Sequence, residues 1–266
     1  MARNQLLSEV KFTYEGYRDF LGRIRDQGGR FRRFSDPVNS GDVLLRHDVD
    51  LSIERTLEMG RLEADMGIQS TFCFQVTCPL YNPLDESCRA VIREIDRLGH
   101  EVALHFNTHN YWDGSADAEN PNEQIPDESA LRANVRAEQS VLKQVTGTLP
   151  TTVSFHRPPE WVLDREFDGF RNTYAPEYFS EIAYIADSTQ RWRRDPPALH
   201  DPLKMTQVLT HPGLWSESDQ PFDRCVARGI VESCRRTNRW ASSEFIDRPG
   251  ALNPEMFEGE INDYDT

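Results

Sequence analysis

Val43-Leu44-Leu45-Arg46-His47-Asp48-Val49-Asp50 is an apolar run that ends in charge. Its aliphatic start reads as a short buried strand, so the histidine and both carboxylates arrive where that strand stops. The same grammar recurs along the chain. Residues 101–106 (EVALHF) deliver His105, with His109 four positions on, and residues 151–155 lead into His156-Arg157-Pro158-Pro159. Residues 182–186 (IAYIA) open onto Asp187, residues 205–210 end at His211, and residues 70–76 (STFCFQV) form a further strand. Helical spacing fills the intervals at 13–27, 51–66, 86–98 and 130–145, closed by Gly28-Gly29, Gly67, Gly99 and Gly147, with Ser52 as a cap. Residues 222–242 read as a closing helix.

Alternating strands and helices imply a parallel sheet with right-handed crossovers. In a parallel barrel the carboxyl ends of the strands share one rim, where sites are built. Asp48, His105, Arg157, Asp187 and His211 are therefore expected around a single site. The acidic stretch 112–129 and residues 159–177 read as long loops shaping that site, and 258–266 as an acidic tail.

The chain has 266 residues, 38% hydrophobic and 28% charged, which fits one α/β domain with a sizeable core. A net charge of -14 lacks the basic footprint of a nucleic-acid binder. No window approaches a membrane span, and the N-terminal residues lack an export signal, so a cytoplasmic protein is expected. The odd set Cys73, Cys78, Cys88, Cys225 and Cys234 matches no zinc-ribbon spacing and reads as reduced thiols.

Asp or Glu with two histidines is a common catalytic zinc set, and a turn after residue 106 would let His105 and His109 face the same way. Taken in order, His47-Asp48-Val49-Asp50, His105 to His109, Arg157-Pro158-Pro159, Asp187 with Trp192, and Leu209-Thr210-His211 resemble the five motifs of the polysaccharide deacetylase family. This is the NodB-homology or carbohydrate esterase family 4 group. The resemblance spans about residues 43–215 and is closer to intracellular branches than to exported cell-wall enzymes.

It implies an α/β fold, a distorted (β/α)7 barrel in a single domain. Residues 1–42 would be a helical lead-in, 43–215 the catalytic part, and 216–266 the closing helix and tail. It also implies one divalent metal, Zn2+ before Co2+, Mn2+, Ni2+ or Fe2+, held by Asp50, His105 and His109. Asp48 would be the base, paired with Arg157. His211 would be the acid and Asp187, five positions before Trp192, a further catalytic residue, with the partner that orients His211 left open. Leu209 would line an acyl pocket, and Trp192 and Trp215 would wall the sugar site.

The activity implied is de-N-acetylation of an acetamido sugar or a precursor carrying one, without nucleic acid or membrane span. Deformylases, cyclic-amide hydrolases and a non-catalytic carbohydrate-binding homologue are the alternatives. Asp-x-Asp replaces the family's adjacent Asp-Asp-Gly, so Asp48 and Asp50 can exchange roles. His47 reads as a core histidine or a support for the site, and His156 as a site residue or a strand cap. Arg191, Arg193 and Arg194 read as a phosphate contact or a solvated charge run.

Overall fold

The structure is a computed structural model and describes residues 5–6, 10–112, 125–199 and 203–246. In chain order the elements are β1 (Gln5–Leu6), α1 (Tyr14–Asp26), β2 (Arg30–Arg32), β3 (Asp42–Val49), α2 (Ile53–Asp65), β4 (Thr71–Phe74) and α3 (Glu86–Arg97). There follow β5 (Glu101–Phe106), α4 (Glu128–Thr146), β6 (Thr152–Phe155), β7 (Arg171–Asn172), β8 (Ala183–Ala186), β9 (Ala198–Leu199), β10 (Thr206–Thr210) and α5 (Phe222–Ala241). Two helix signals act as read: Ser52 accepts from Arg55 N, and α4 stops at Gly147 with φ of 84°. Thr13, which the spacing put inside the first helix, caps it instead, accepting from Gly16 N. Residues 113–124 of the acidic loop and the tail 258–266 lie outside the described residues. The 159–177 segment contributes β7, a short strand without an alternating pattern to announce it.

Seven strands lie side by side in the order β7-β6-β5-β4-β3-β10-β8, all parallel, and β2 pairs with the first rungs of β3. This curled sheet with helices is the distorted (β/α)7 barrel. β1 and β9 form a separate antiparallel pair. No helix among the described residues is long and apolar enough to cross a membrane.

Every residue of β3 is buried, because each face of this central strand meets a different layer. Side chains alternate across a strand. Val43 and Leu45 join Tyr17, Leu21, Ile24, Met59 and Leu62 in the layer beneath α1 and α2. His47 shares that outward face. Its Nε2 lies 2.8 Å from Glu63, its Nδ1 meets Thr210 Oγ1 at 2.7 Å, and Tyr17 Oη donates to Glu63 at 2.5 Å. His47 is thus a core histidine, held through Nδ1, while its Nε2 lies close to Glu63 without a hydrogen bond of sound geometry. Ring stacking on Phe72, with centroids 4.2 Å apart, holds it further.

The inward residues Arg46 and Asp48 enter a polar interior. Arg46 Nη1 donates to Thr173 Oγ1 (2.9 Å) and Gln207 Oε1 (2.8 Å), and Nη2 donates to Tyr174 Oη (2.7 Å). Gln207 Nε2 in turn donates to the carbonyls of Thr173 and Tyr178. Thr173 follows β7 at one end of the sheet, and Gln207 sits on β10 next to the other. Side-chain bonds across the interior thus join the end of β7 to β10, strands that are not neighbours in the sheet.

Beneath the 3-10 turn Thr108–Asn110, Tyr111 Oη donates to Glu138 Oε1 on α4 at 2.6 Å, while buried Glu138 Oε2 has no hydrogen-bond partner. Burial, opposed by the Tyr111 bond, pushes Glu138 up from 4.5 to about 7. Between those pH values the native chain keeps a proton that the unfolded chain has released, so stability falls as pH rises across the window. Relative to Glu138→Gln, wild-type stability is expected to drop by about 3 kcal/mol between pH 4.5 and 8, read from denaturant midpoints. Parallel curves for the two proteins would refute this.

Candidate metal centre and active site

Asp50 follows the end of β3, His105 is the penultimate residue of β5, and His156 follows the end of β6. Parallel register carries all three to one rim. His105 pairs with Ser154, Phe106 pairs with Phe155, and His156 N donates to Phe106 O at 2.8 Å. The three donor atoms form a near-equilateral triangle. His105 Nε2 to Asp50 Oδ1 is 3.1 Å, His156 Nδ1 to Asp50 Oδ1 is 3.4 Å, and His105 Nε2 to His156 Nδ1 is 3.1 Å. Donors bound to a tetrahedral zinc stand about 3.3–3.5 Å apart, since each lies about 2.0–2.2 Å from the ion. Asp50 Oδ1 is buried yet accepts no hydrogen bond of sound geometry. Burial works to raise Asp50, but His105, His156 and His211 outweigh it and hold the carboxyl well below the usual range.

The sequence reading placed His109 in this set. The structure groups Asp50, His105 and His156 instead. An i, i+4 pair faces one way only on a helix, whereas His105 is on a strand and His109 on the 3-10 turn that follows. His109 Nε2 lies 3.5 Å from the carbonyl of Arg157.

His105 is oriented from behind. Ser154 Oγ donates to Asp48 Oδ2 (3.1 Å) and meets His105 Nδ1 at 3.0 Å. With the serine hydrogen given to Asp48, its lone pair receives a proton from Nδ1, which leaves the Nε2 lone pair facing the cluster. Ser154 escaped the sequence reading. The signal was its position two residues before His156, on the same face of β6.

Asp48 is buried, and its partner is Arg46, not Arg157. Arg46 Nε donates to Oδ1 at 3.0 Å and Nη2 to Oδ2 at 2.7 Å, a bidentate pair between same-face residues of β3. Burial alone would raise Asp48, but Arg46 and His105 bring it down to about 2. Arg157 lies two residues past β6, exposed, with φ of 45°. It has left the barrel interior and stands at the mouth.

His211 follows β10 and faces the cluster, its Nε2 3.7 Å from Asp50 Oδ2. Fully buried Asp187, just past β8, holds it. Asp187 Oδ1 meets His211 Nδ1 at 2.6 Å, and Oδ2 accepts from His211 N (3.1 Å) and Trp215 Nε1 (2.8 Å). Burial works against the imidazolium, but Asp187 beside it prevails and raises His211 to about 9. Asp187→Asn is expected to lower turnover about 10²–10⁴-fold if His211 transfers a proton, with KM changing far less. Steady-state rates of the variant within threefold of wild type would remove this role, threefold being about the scatter of such assays.

The aromatic walls also differ from expectation. Trp192 and Trp215 are both buried, packing on Phe12 with centroids at 6.4 and 4.6 Å. Trp215 instead supports Asp187. The cavity over the cluster, about 540 Å³, is walled by Phe155, Leu163, Tyr174, Phe179, Tyr184 and Leu209, and His156, Arg157 and His211 also line it.

Comparison of the sequence finds no matching family model and no matching curated protein. Solved structures match it at low identity and low TM-score. A family 4 carbohydrate esterase from Bacillus anthracis is 14% identical, with 89% of this chain and 91% of that one covered at a TM-score of 0.41. IcaB from Ammonifex degensii is 20% identical, with 53% and 65% covered at 0.40. A family 4 pseudoenzyme from Bacillus anthracis is 14% identical, with 73% and 60% covered at 0.38. The chain spans less than two thirds of the length of the latter two.

Proposed function

We propose that this chain is a metal-dependent hydrolase that removes the acetyl group from an acetamido sugar or a precursor carrying one. The triangle of Asp50 Oδ1, His105 Nε2 and His156 Nδ1 carries this reading, because its edges of 3.1–3.4 Å come close to those of one face of a tetrahedral site. These residues would hold the ion, and a nitrogen, nitrogen, oxygen donor set suits Zn2+, with Co2+, Mn2+, Ni2+ or Fe2+ accepted by the same atoms. Such an ion supplies a Lewis acid that acidifies water and polarises a carbonyl.

The chain's own groups divide the proton work. Asp48, held ionised by Arg46, takes the proton from the attacking water, and its weak basicity suits only a strongly acidified one. His211, held protonated against Asp187, gives a proton to the departing nitrogen. Leu209 and the aromatic walls exclude bulk water around the acyl group. Atoms balance: water adds across the C–N bond, and acetate and a free amine leave.

The test is purification with metal analysis, followed by assay of acetate release from N-acetylated sugars and nucleotide-sugars. Bound metal with acetate release is expected. Formate or a ring-opened product would move the chemistry to deformylation or cyclic-amide hydrolysis, and no product across all panels would overturn the hydrolase reading.

A further inference from the structure

Beyond the reacting groups, the cavity is charged in one sense. Among the described residues that line it, Asp48, Asp50, His105, His156 and His211 belong to the cluster, and the other charged liners are Arg157 and Arg191. The chain as a whole is acidic, with 44 Asp and Glu against 30 Lys and Arg. Many of its arginines are matched to a carboxylate, as Arg30 and Arg32 are to Asp42, Arg33 to Asp36 and Arg193 to Asp219. Arg157 and Arg191 show no such side-chain partner among the described residues.

The backbone at or just before both is in an uncommon conformation. Among the described residues, four non-glycine residues have positive φ: Arg157 at 45°, Asp164 at 54°, Thr189 at 52° and Gln190 at 56°. Three of the four are Arg157 itself or the two residues leading into Arg191. Backbone strain of this kind persists only where its surroundings over-determine it, and it gathers at binding sites. Around Arg191 those surroundings are visible. Gln190 is buried and donates to Gln220 O at 2.8 Å while accepting from Arg193 Nε at 2.9 Å, and Trp192 is buried in the core. Arg191, between two anchored neighbours, is turned out along the cavity wall. Of the arginine triplet in the sequence, Arg193 is committed to Asp219 and Arg191 is the one that lines the cavity.

We propose that the substrate carries an oxyanion, phosphate or carboxylate, remote from the scissile amide, and that Arg157 and Arg191 bind it. This rests on the hydrolase reading above and narrows its substrate class. Arginine forks suit such groups, and a two-cation mouth in an otherwise acidic protein selects for them.

The test compares zinc-loaded wild type with the Arg157→Gln/Arg191→Gln protein on three substrates. These are N-acetylglucosamine, its phosphate monoesters, and N-acetylmuramic acid, which adds a carboxylate. Wild type is expected to prefer an anionic substrate by about ten- to a hundred-fold in kcat/KM, mostly through KM, as charged hydrogen bonds imply. The double variant should lose most of that preference, with the neutral sugar affected far less and zinc affinity unchanged. The arm that shows the preference identifies phosphate or carboxylate. Equal use of neutral and anionic sugars by wild type, or a preference surviving in the double variant, overturns the proposal and leaves the hydrolase reading intact. If no sugar is hydrolysed, calorimetric titration of the phosphate monoester into metal-free protein decides the anion site alone. Binding weakened by the double substitution supports it, and absent or unchanged binding overturns it.

Discussion

Asp50→Ala and His156→Ala are each expected to lose tight zinc binding, whereas His109→Ala should keep it. Asp50 Oδ1 makes two of the three edges of the donor triangle, so its loss leaves two imidazoles that cannot enclose an ion alone. Outer-shell partners of ligating histidines already cost about 10–100-fold in metal affinity when removed, and a direct ligand costs more. Loss of several kcal/mol of Lewis-acid stabilisation then lowers turnover by about three orders of magnitude or more. Metal titration with a chromophoric chelator, alongside product release, reads both effects. Zinc affinity that survives Asp50→Ala would remove the proposed centre. Loss with His109→Ala but not with His156→Ala would restore the ligand set read from the sequence.

The second large effect concerns stability. Arg46→Met is expected to destabilise the fold by about 3–5 kcal/mol, because it leaves the ionised Asp48 buried without its partner. Tyr174 Oη, Thr173 Oγ1 and Gln207 Oε1 lose a donor in the same step, so the side-chain bridge across the barrel interior is weakened to the bonds that Gln207 Nε2 donates. Domains are stable by about 5–15 kcal/mol, so this one change takes a large share of the whole. Arg46→Met/Asp48→Asn should recover part of the loss, since the asparagine carries no charge to strand. Denaturant midpoints of the single and double variants measure this, and an Arg46→Met protein within 1 kcal/mol of wild type, the size of a typical surface substitution or smaller, would refute it.

Much of the architecture was legible because its punctuation is local. Glycines at Gly67, Gly99 and Gly147 adopt φ of 70°, 91° and 84°, so their helices end where the sequence says they should. Apolar runs such as residues 101–106 became strands whose far ends carry the chemistry. The sequence left the partner of His211 open, and the structure supplies Asp187, because both residues lie just past the ends of the neighbouring parallel strands β8 and β10. Arg46 was visible in the opening segment, two residues before Asp48 on the same strand face. Its role went unread because a distant arginine, Arg157, matched a motif.

Trp192 and Trp215 show the opposite failure. Flat rings suit sugar faces, yet a sequence does not say which side of the sheet a residue between strands will take, and both went to the core. The chain by itself determined the alternation of strands and helices, the parallel sheet and the set of residues delivered to one rim. Period and capping are short-range properties, written within a few residues of where they act. Only the tertiary structure decided which of those residues meet. His156 joins His105 through strand register, Arg46 rather than Arg157 reaches Asp48, and Arg157 is left at the mouth. Arg46 and Asp48 are two positions apart on one strand face. The meeting of His105 with His156 and of Ser154 with Asp48, by contrast, depends on inter-strand distances of a few ångströms between residues 51 and 106 positions apart, which no local pattern encodes.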